Sequence, residues 1–160
     1  MTKDPFQPAD DDARALARGL IAAARFAALG VIDPETGGPM VSRIAVAPDW
    51  TGGLLGLVSD LSHHTAALKS NPAFSLLVGE PGDKGDPLTH PRLTVTGRVE
   101  FVRHGAPDHA ALAQMITTHQ PKTKLYIGFA DFSILRFVAD RALLNGGFGK
   151  AYRLSATDLA

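Results

Sequence analysis

The run Arg92–Val102 constrains this chain more than any other stretch. Arg92, Thr94, Thr96, Arg98 and Glu100 alternate with Leu93, Val95, Gly97, Val99 and Phe101. Period two with one polar face marks a strand whose other face is buried. Such a strand needs partners, and short apolar runs between turn residues supply them. Ala28–Asp33 and Met40–Ala47 flank the cluster Pro34-Glu35-Thr36-Gly37-Gly38 and predict a hairpin. Leu54–Ser59 and Ala73–Gly79 read as further strands. Phe132–Ala139 and Arg141–Asn145 read as the last two, ended by Gly146-Gly147-Phe148-Gly149.

Helical signals are fewer. Asp10, Asp11 and Asp12 favour a helix start, and Leu16, Leu20, Ala24 and Ala27 share one face of a helix over 13–28. Further helices are expected over 62–71 and 107–119, with a helical turn near 122–127. Residues 1–9 are polar and proline-bearing, and are expected to form a flexible arm. About six strands without regular strand–helix alternation argue against a Rossmann sheet. The expectation is a mainly β fold, a closed or partly closed antiparallel barrel with flanking helices, because closure hides strand edges. One domain spans residues 1–160, and no repeat breaks it.

Composition narrows function by exclusion. Sixteen Lys and Arg balance sixteen Asp and Glu, so the net charge is zero. A general nucleic-acid binder needs an excess of cations facing phosphates. There is no cysteine, which removes disulfides, thiolate catalysis and cysteine-held metal clusters. The first residues carry no secretory pattern, and no apolar run approaches the ~20 residues that span a bilayer. A cytoplasmic protein is expected.

The chemistry-bearing stretch is Ser59-Asp60-Leu61-Ser62-His63-His64-Thr65, where an apolar strand hands over to a helix. Ser62 suits the N-cap, its hydroxyl accepting from a first-turn N–H. Unpaired N–H groups and the helix dipole make such a start a site for phosphate. Ser59, Ser62 and Thr65 add hydroxyls, and His63 and His64 add N–H donors or charge. Arg43 lies inside the apolar run 40–47, so it needs water, a carboxylate such as Asp60, or a ligand. Arg92 opens the alternating strand on its polar face. His63 and His64 are adjacent and face different sides of a helix, which is unsuited to a shared metal. No carboxylate–histidine cluster with zinc spacing stands out, and no catalytic acid or base is identified.

These fragments, in this order, resemble the pyridoxamine-5'-phosphate-oxidase-like FMN-binding split β-barrel family, most closely its HugZ-like branch. The resemblance rests on Arg43, on 59–65 with Leu68 and Asn71-Pro72, and on Asp86-Pro87-Leu88. It rests also on Pro91-Arg92-Leu93-Thr94-Val95-Thr96-Gly97 and on Gly146-Gly147-Phe148-Gly149-Lys150-Ala151. It covers roughly residues 14–155. It implies a split barrel of Greek-key type that works as a homodimer, with FMN bound non-covalently in the groove between subunits.

By the same resemblance, Arg43 contacts the phosphate or ribityl chain. Ser62, His63, His64 and Thr65 grip the phosphate, and Arg92 reaches the flavin from across the dimer. The oxidases proper have an Arg-Lys pair where this chain has His63-His64, so phosphate binding is expected to be pH-sensitive. The C-terminal Trp–Arg pattern those oxidases use for pyridoxamine phosphate is missing. The implied function is an FMN-dependent oxidoreductase acting on a small-molecule substrate. The alternatives are a haem-binding or haem-degrading protein and a non-enzymatic flavin carrier or sensor. By residue type, His90, His104, His109 and His119 are the candidate haem ligands.

Overall fold

The computed structural model describes residues 2–160. Eight strands form one sheet: β1 (Phe6–Gln7), β2 (Phe26–Ile32), β3 (Pro39–Pro48), β4 (Leu54–Ser59), β5 (Ala73–Val78), β6 (Arg92–Val102), β7 (Phe132–Asn145) and β8 (Ala151–Ser155). Their order is β1-β8-β7-β4-β3-β2-β5-β6, and β6 pairs again with β7. That last pairing closes a six-stranded antiparallel barrel. β8 and β1 extend the sheet from the far half of β7. Four helices flank it: α1 (Asp11–Ala23), α2 (His63–Ser70), α3 (His109–His119) and α4 (Ala156–Leu159).

The expected alternation along β6 is present: Leu93, Val95 and Val99 are buried and face the core, while Arg98 and Glu100 are exposed. β4 is apolar on both faces for a different reason. Leu54 and Val58 enter the main core, whereas Leu55 and Leu57 pack outward beneath Leu112 and Ile116 of α3. Ala13, Ala17 and Ile21 of α1 join the main core. Phe74 meets Phe137 edge-on, with ring centroids 4.8 Å apart.

Several sequence expectations are corrected by long-range pairing. Residues 132–145 form one strand, because the register shift opposite Thr96 and Gly97 carries the ladder past Asp140. The glycine cluster is the turn into β8, with the Gly146 N–H donating to the Lys150 carbonyl at 2.8 Å. The arm 1–9 is partly fastened. Phe6 and Gln7 pair in parallel with Ala151 and Tyr152, and the Arg153 guanidinium lies 4.2 Å from the Phe6 ring centroid. α1 is shorter than expected and its Asp10 cap accepts from the Ala13 N–H at 2.7 Å. α4 is tied to α1, as the Arg14 guanidinium and the Ser155 backbone N–H hold the Asp158 carboxyl at a pKa of about 2.

Candidate functional site

β3 and β4 pair from Ala45–Leu57 to Pro48–Leu54 and then part. Continuing that register would set Arg43 opposite Ser59. Instead β4 turns away at Ser59 and α2 begins. Its first turn is fastened against β3, where the Ser42 hydroxyl and His64 Nδ1 are 2.9 Å apart. Successive strand residues face opposite ways. The fork nevertheless leaves this edge of β3 free of strand pairing, so Ser42 and Arg43 line the same cavity.

That cavity has a volume of about 470 Å³ and runs over the outer face of β3, β2 and β5 to the loop before β6. Arg43, Ser42, Phe26, Leu77, His90 and Arg92 are among its walls. Arg43 and Arg92, distant in sequence, therefore meet in one groove. Arg43 is exposed and has no carboxylate partner among the described residues. Its guanidinium lies 5.5 Å from the Phe26 ring centroid. Asp60, the sequence-level alternative partner, is bonded by Lys69 at 2.9 Å instead. Arg92 braces the loop by donating to the Leu88 carbonyl at 3.0 Å.

The residues of the 59–65 turn divide by what their side chains already do. Ser62 stands at the N-cap, but its hydroxyl makes no capping bond, contrary to the expectation. It stays available beside the His63 and His64 N–H groups, while the Thr65 N–H donates to the Ser62 carbonyl at 3.1 Å. The Thr65 side chain is fully buried and its hydroxyl donates to the Ser59 carbonyl at 2.6 Å. The Ser59 hydroxyl donates to Asp131 Oδ2 at 2.6 Å and accepts from the Leu61 N–H. Both shape the turn rather than face the groove. His63 Nε2 is paired with Asp33 Oδ1 at 3.1 Å. That bond, after one from the Glu35 N–H, keeps the Asp33 carboxyl below its usual range.

Burial, followed by the neighbouring His63, lowers the His64 pKa from 6.5. The unfolded chain then binds a proton at His64 more readily than the folded one. Stability from this residue is fully present above about pH 6.5 and is lost as pH falls toward the lowered folded value. Urea midpoints should therefore drop between pH 7.5 and 5, and less so in His64→Gln. An equal drop in both proteins would remove His64 from this role.

Four histidines were candidates by type for an axial ligand, which needs a free ring nitrogen. His90 has none: Nδ1 accepts from the Gly82 N–H and Nε2 donates to the Lys84 carbonyl. His104 and His119 each donate Nε2–H to a backbone carbonyl, of Phe129 and Ala24 respectively. The His104 and His109 rings lie with centroids 4.5 Å apart, tilted by 40°, and burial followed by the His104 charge lowers the His109 pKa. One carboxylate–histidine cluster does exist, contrary to the sequence reading. Asp33, Glu35 and His63 place ligand atoms within 4.8 Å of one another at the β2–β3 turn. Their separation in sequence hid it.

The groove fits a flavin phosphate on its own chemistry. It offers a cation without a carboxylate partner and aromatic and aliphatic walls for a flat ring, and its Ser42 wall is tied through His64 to the helix start that carries the Ser62 hydroxyl. Sequence reasoning missed Ser42, whose only signal was its place beside Arg43.

Comparison with known proteins agrees with the fold. The family model described as "CREG, beta-barrel" matches residues 8–159. No curated protein sequence matches the chain. One solved chain is 40% identical, covering 96% of this chain and 98% of its own length, with a TM-score of 0.85. A heme-binding protein from Mycobacterium smegmatis is 25% identical over 94% of this chain, with a TM-score of 0.84. This chain spans only 61% of that protein's length. A Clostridium acetobutylicum protein, related to general stress protein 26 of B. subtilis (pyridoxinephosphate oxidase family), is 15% identical. It covers 95% of this chain and 100% of its own, with a TM-score of 0.70, and supports the fold alone.

Proposed function

The chain belongs to the CREG β-barrel family, and from that premise we propose that it is an FMN-binding flavoprotein acting as a homodimer. The observation that carries the reading is the fork between β3 and β4. There Arg43 has no carboxylate partner, and the Ser62 hydroxyl is free at the start of α2. An unpaired guanidinium and the open His63 and His64 N–H groups suit a phosphate. His64 serves as a neutral hydrogen-bonding group near pH 7, since burial disfavours its charged form. The flavin ring lies along the groove toward Arg92, against Phe26 and Leu77. FMN, when bound, supplies redox chemistry, and the protein supplies binding, orientation and electrostatics.

The dimer reading is supported by the outer face of β3, β2 and β5. Phe26 is 39% exposed, Val41 70% and Leu77 44%, around the small residues Ala28, Gly30 and Ser75. A sheet face of this kind, apolar around the exposed Arg43, favours coverage by a partner. A second copy laid on it would cover the groove and shield the flavin from water.

The fold's heme-binding relative makes haem the second reading. The test is a thermal melt with FMN and, separately, with haemin. FMN at one hundred times its Kd should stabilise the native state by about 2.7 kcal/mol. Haemin should raise neither the melting temperature nor a Soret band. No response to FMN with a strong Soret band would reverse the assignment.

A further inference from the structure

A second cavity, of about 550 Å³, shares Arg43 and Phe26 with the flavin groove and is otherwise lined by different residues. Arg25, Arg43, His119 and Lys122 line it, with Phe26 and Ile44 as apolar wall. No carboxylate lines it. The chain as a whole has as many acidic as basic residues, so this concentration of one sign is not the background. Arg25 and Lys122 are exposed, and neither side chain makes an ion pair among the described residues.

The wall behind these cations is firmly built. His119 Nε2 donates to the Ala24 carbonyl at 2.8 Å, and the Gln120 amide donates to the Arg25 carbonyl and, at 2.6 Å, to that of Val46. These bonds fasten the end of α3 to the start of β2, so the positions from which Arg25 and Lys122 extend are set by the fold. Like charges gathered without counter-ions raise the local positive potential and favour an anion. The apolar wall favours one with a flat hydrocarbon body.

We propose that this cavity binds a small organic anion, held by Arg25 and Lys122, next to the flavin across Arg43. Its place as a co-substrate site rests on the flavin reading; its anion affinity does not. Because Arg43 and Phe26 wall both cavities, an anion here would neighbour the flavin groove.

The probes are phenyl phosphate and benzoate, with benzyl alcohol as the uncharged control. Each is titrated by NMR at pH 7.5 and low salt, without FMN, into the intact chain and into Arg25→Gln/Lys122→Gln. The intact chain should bind the anions and not the alcohol. The double variant should bind them at least about tenfold more weakly, as expected for loss of charge-assisted bonds. Added salt should weaken the intact chain similarly. Anions bound no better than the alcohol would overturn the proposal, as would equal affinity in the double variant. FMN titration of both proteins separates the two readings. FMN affinity should be nearly the same in each. A parallel loss would merge this cavity with the flavin site and overturn a separate subsite. Anion binding without FMN binding to the intact chain would leave this proposal standing and remove the flavin reading.

Discussion

Replacing Gly97 with alanine is expected to destabilise the fold by about 3 kcal/mol or more. A Cβ at Gly97 would meet the Val138 backbone carbonyl oxygen at 1.9 Å and the Ala139 Cα at 3.0 Å. Backbone atoms on the facing strand cannot rotate away as a side chain can. Gly97 sits at the register shift where β6 passes Asp140 of β7. Admitting a methyl there means opening the pairing that closes the barrel. Gly56 makes an instructive contrast. Its Cβ would chiefly meet the Phe137 ring and the Ile44 methyl, which can repack, so Gly56→Ala should cost less. Urea unfolding of the two variants measures both. A loss below about 1 kcal/mol for Gly97→Ala would mean that β6 and β7 close less tightly than described.

The second large effect falls on binding. Arg43→Ala should weaken FMN binding by about 1–3 kcal/mol, roughly five- to 150-fold, if the guanidinium makes a charge-assisted phosphate bond. The variant should fold normally. Arg43 is exposed, and the contact it loses in the free protein is its approach to Phe26 at 5.5 Å. Exposed cation–π pairs contribute only about 0.5–1 kcal/mol. Fluorescence titration of FMN, with a urea melt of the same preparation, separates binding from folding. Unchanged affinity would make Arg43 a surface residue.

Much of the barrel was legible because local patterns carried it. β6 declared itself through strict alternation, and the β2–β3 hairpin through its turn residues. What was not legible depends on partners far along the chain. Two residues, Phe6 and Gln7, have no period, and become a strand only because β8 lies beside them. Asp140 reads as a break, since the bulge that absorbs it is set by β6.

The site divides the same way. The position of Ser62 at the helix start followed from residue type, but the freedom of its hydroxyl did not. Thr65 looked like a ligand residue because its hydroxyl is polar. Full burial and the Ser59 carbonyl show what that hydroxyl is for. His63 and His64 look equivalent in sequence. One pairs with Asp33 and the other is half-buried against Ser42. Arg25 and Lys122 are ordinary surface types until the fold sets them on one cavity.

The decisive measurement is a crystal structure grown with excess FMN. Density for the phosphate within hydrogen-bond distance of the Ser62 hydroxyl and the Arg43 guanidinium, with the ring along Phe26, is the expected result. A flavin seated elsewhere, or a fork between β3 and β4 left without one, would contradict the assignment.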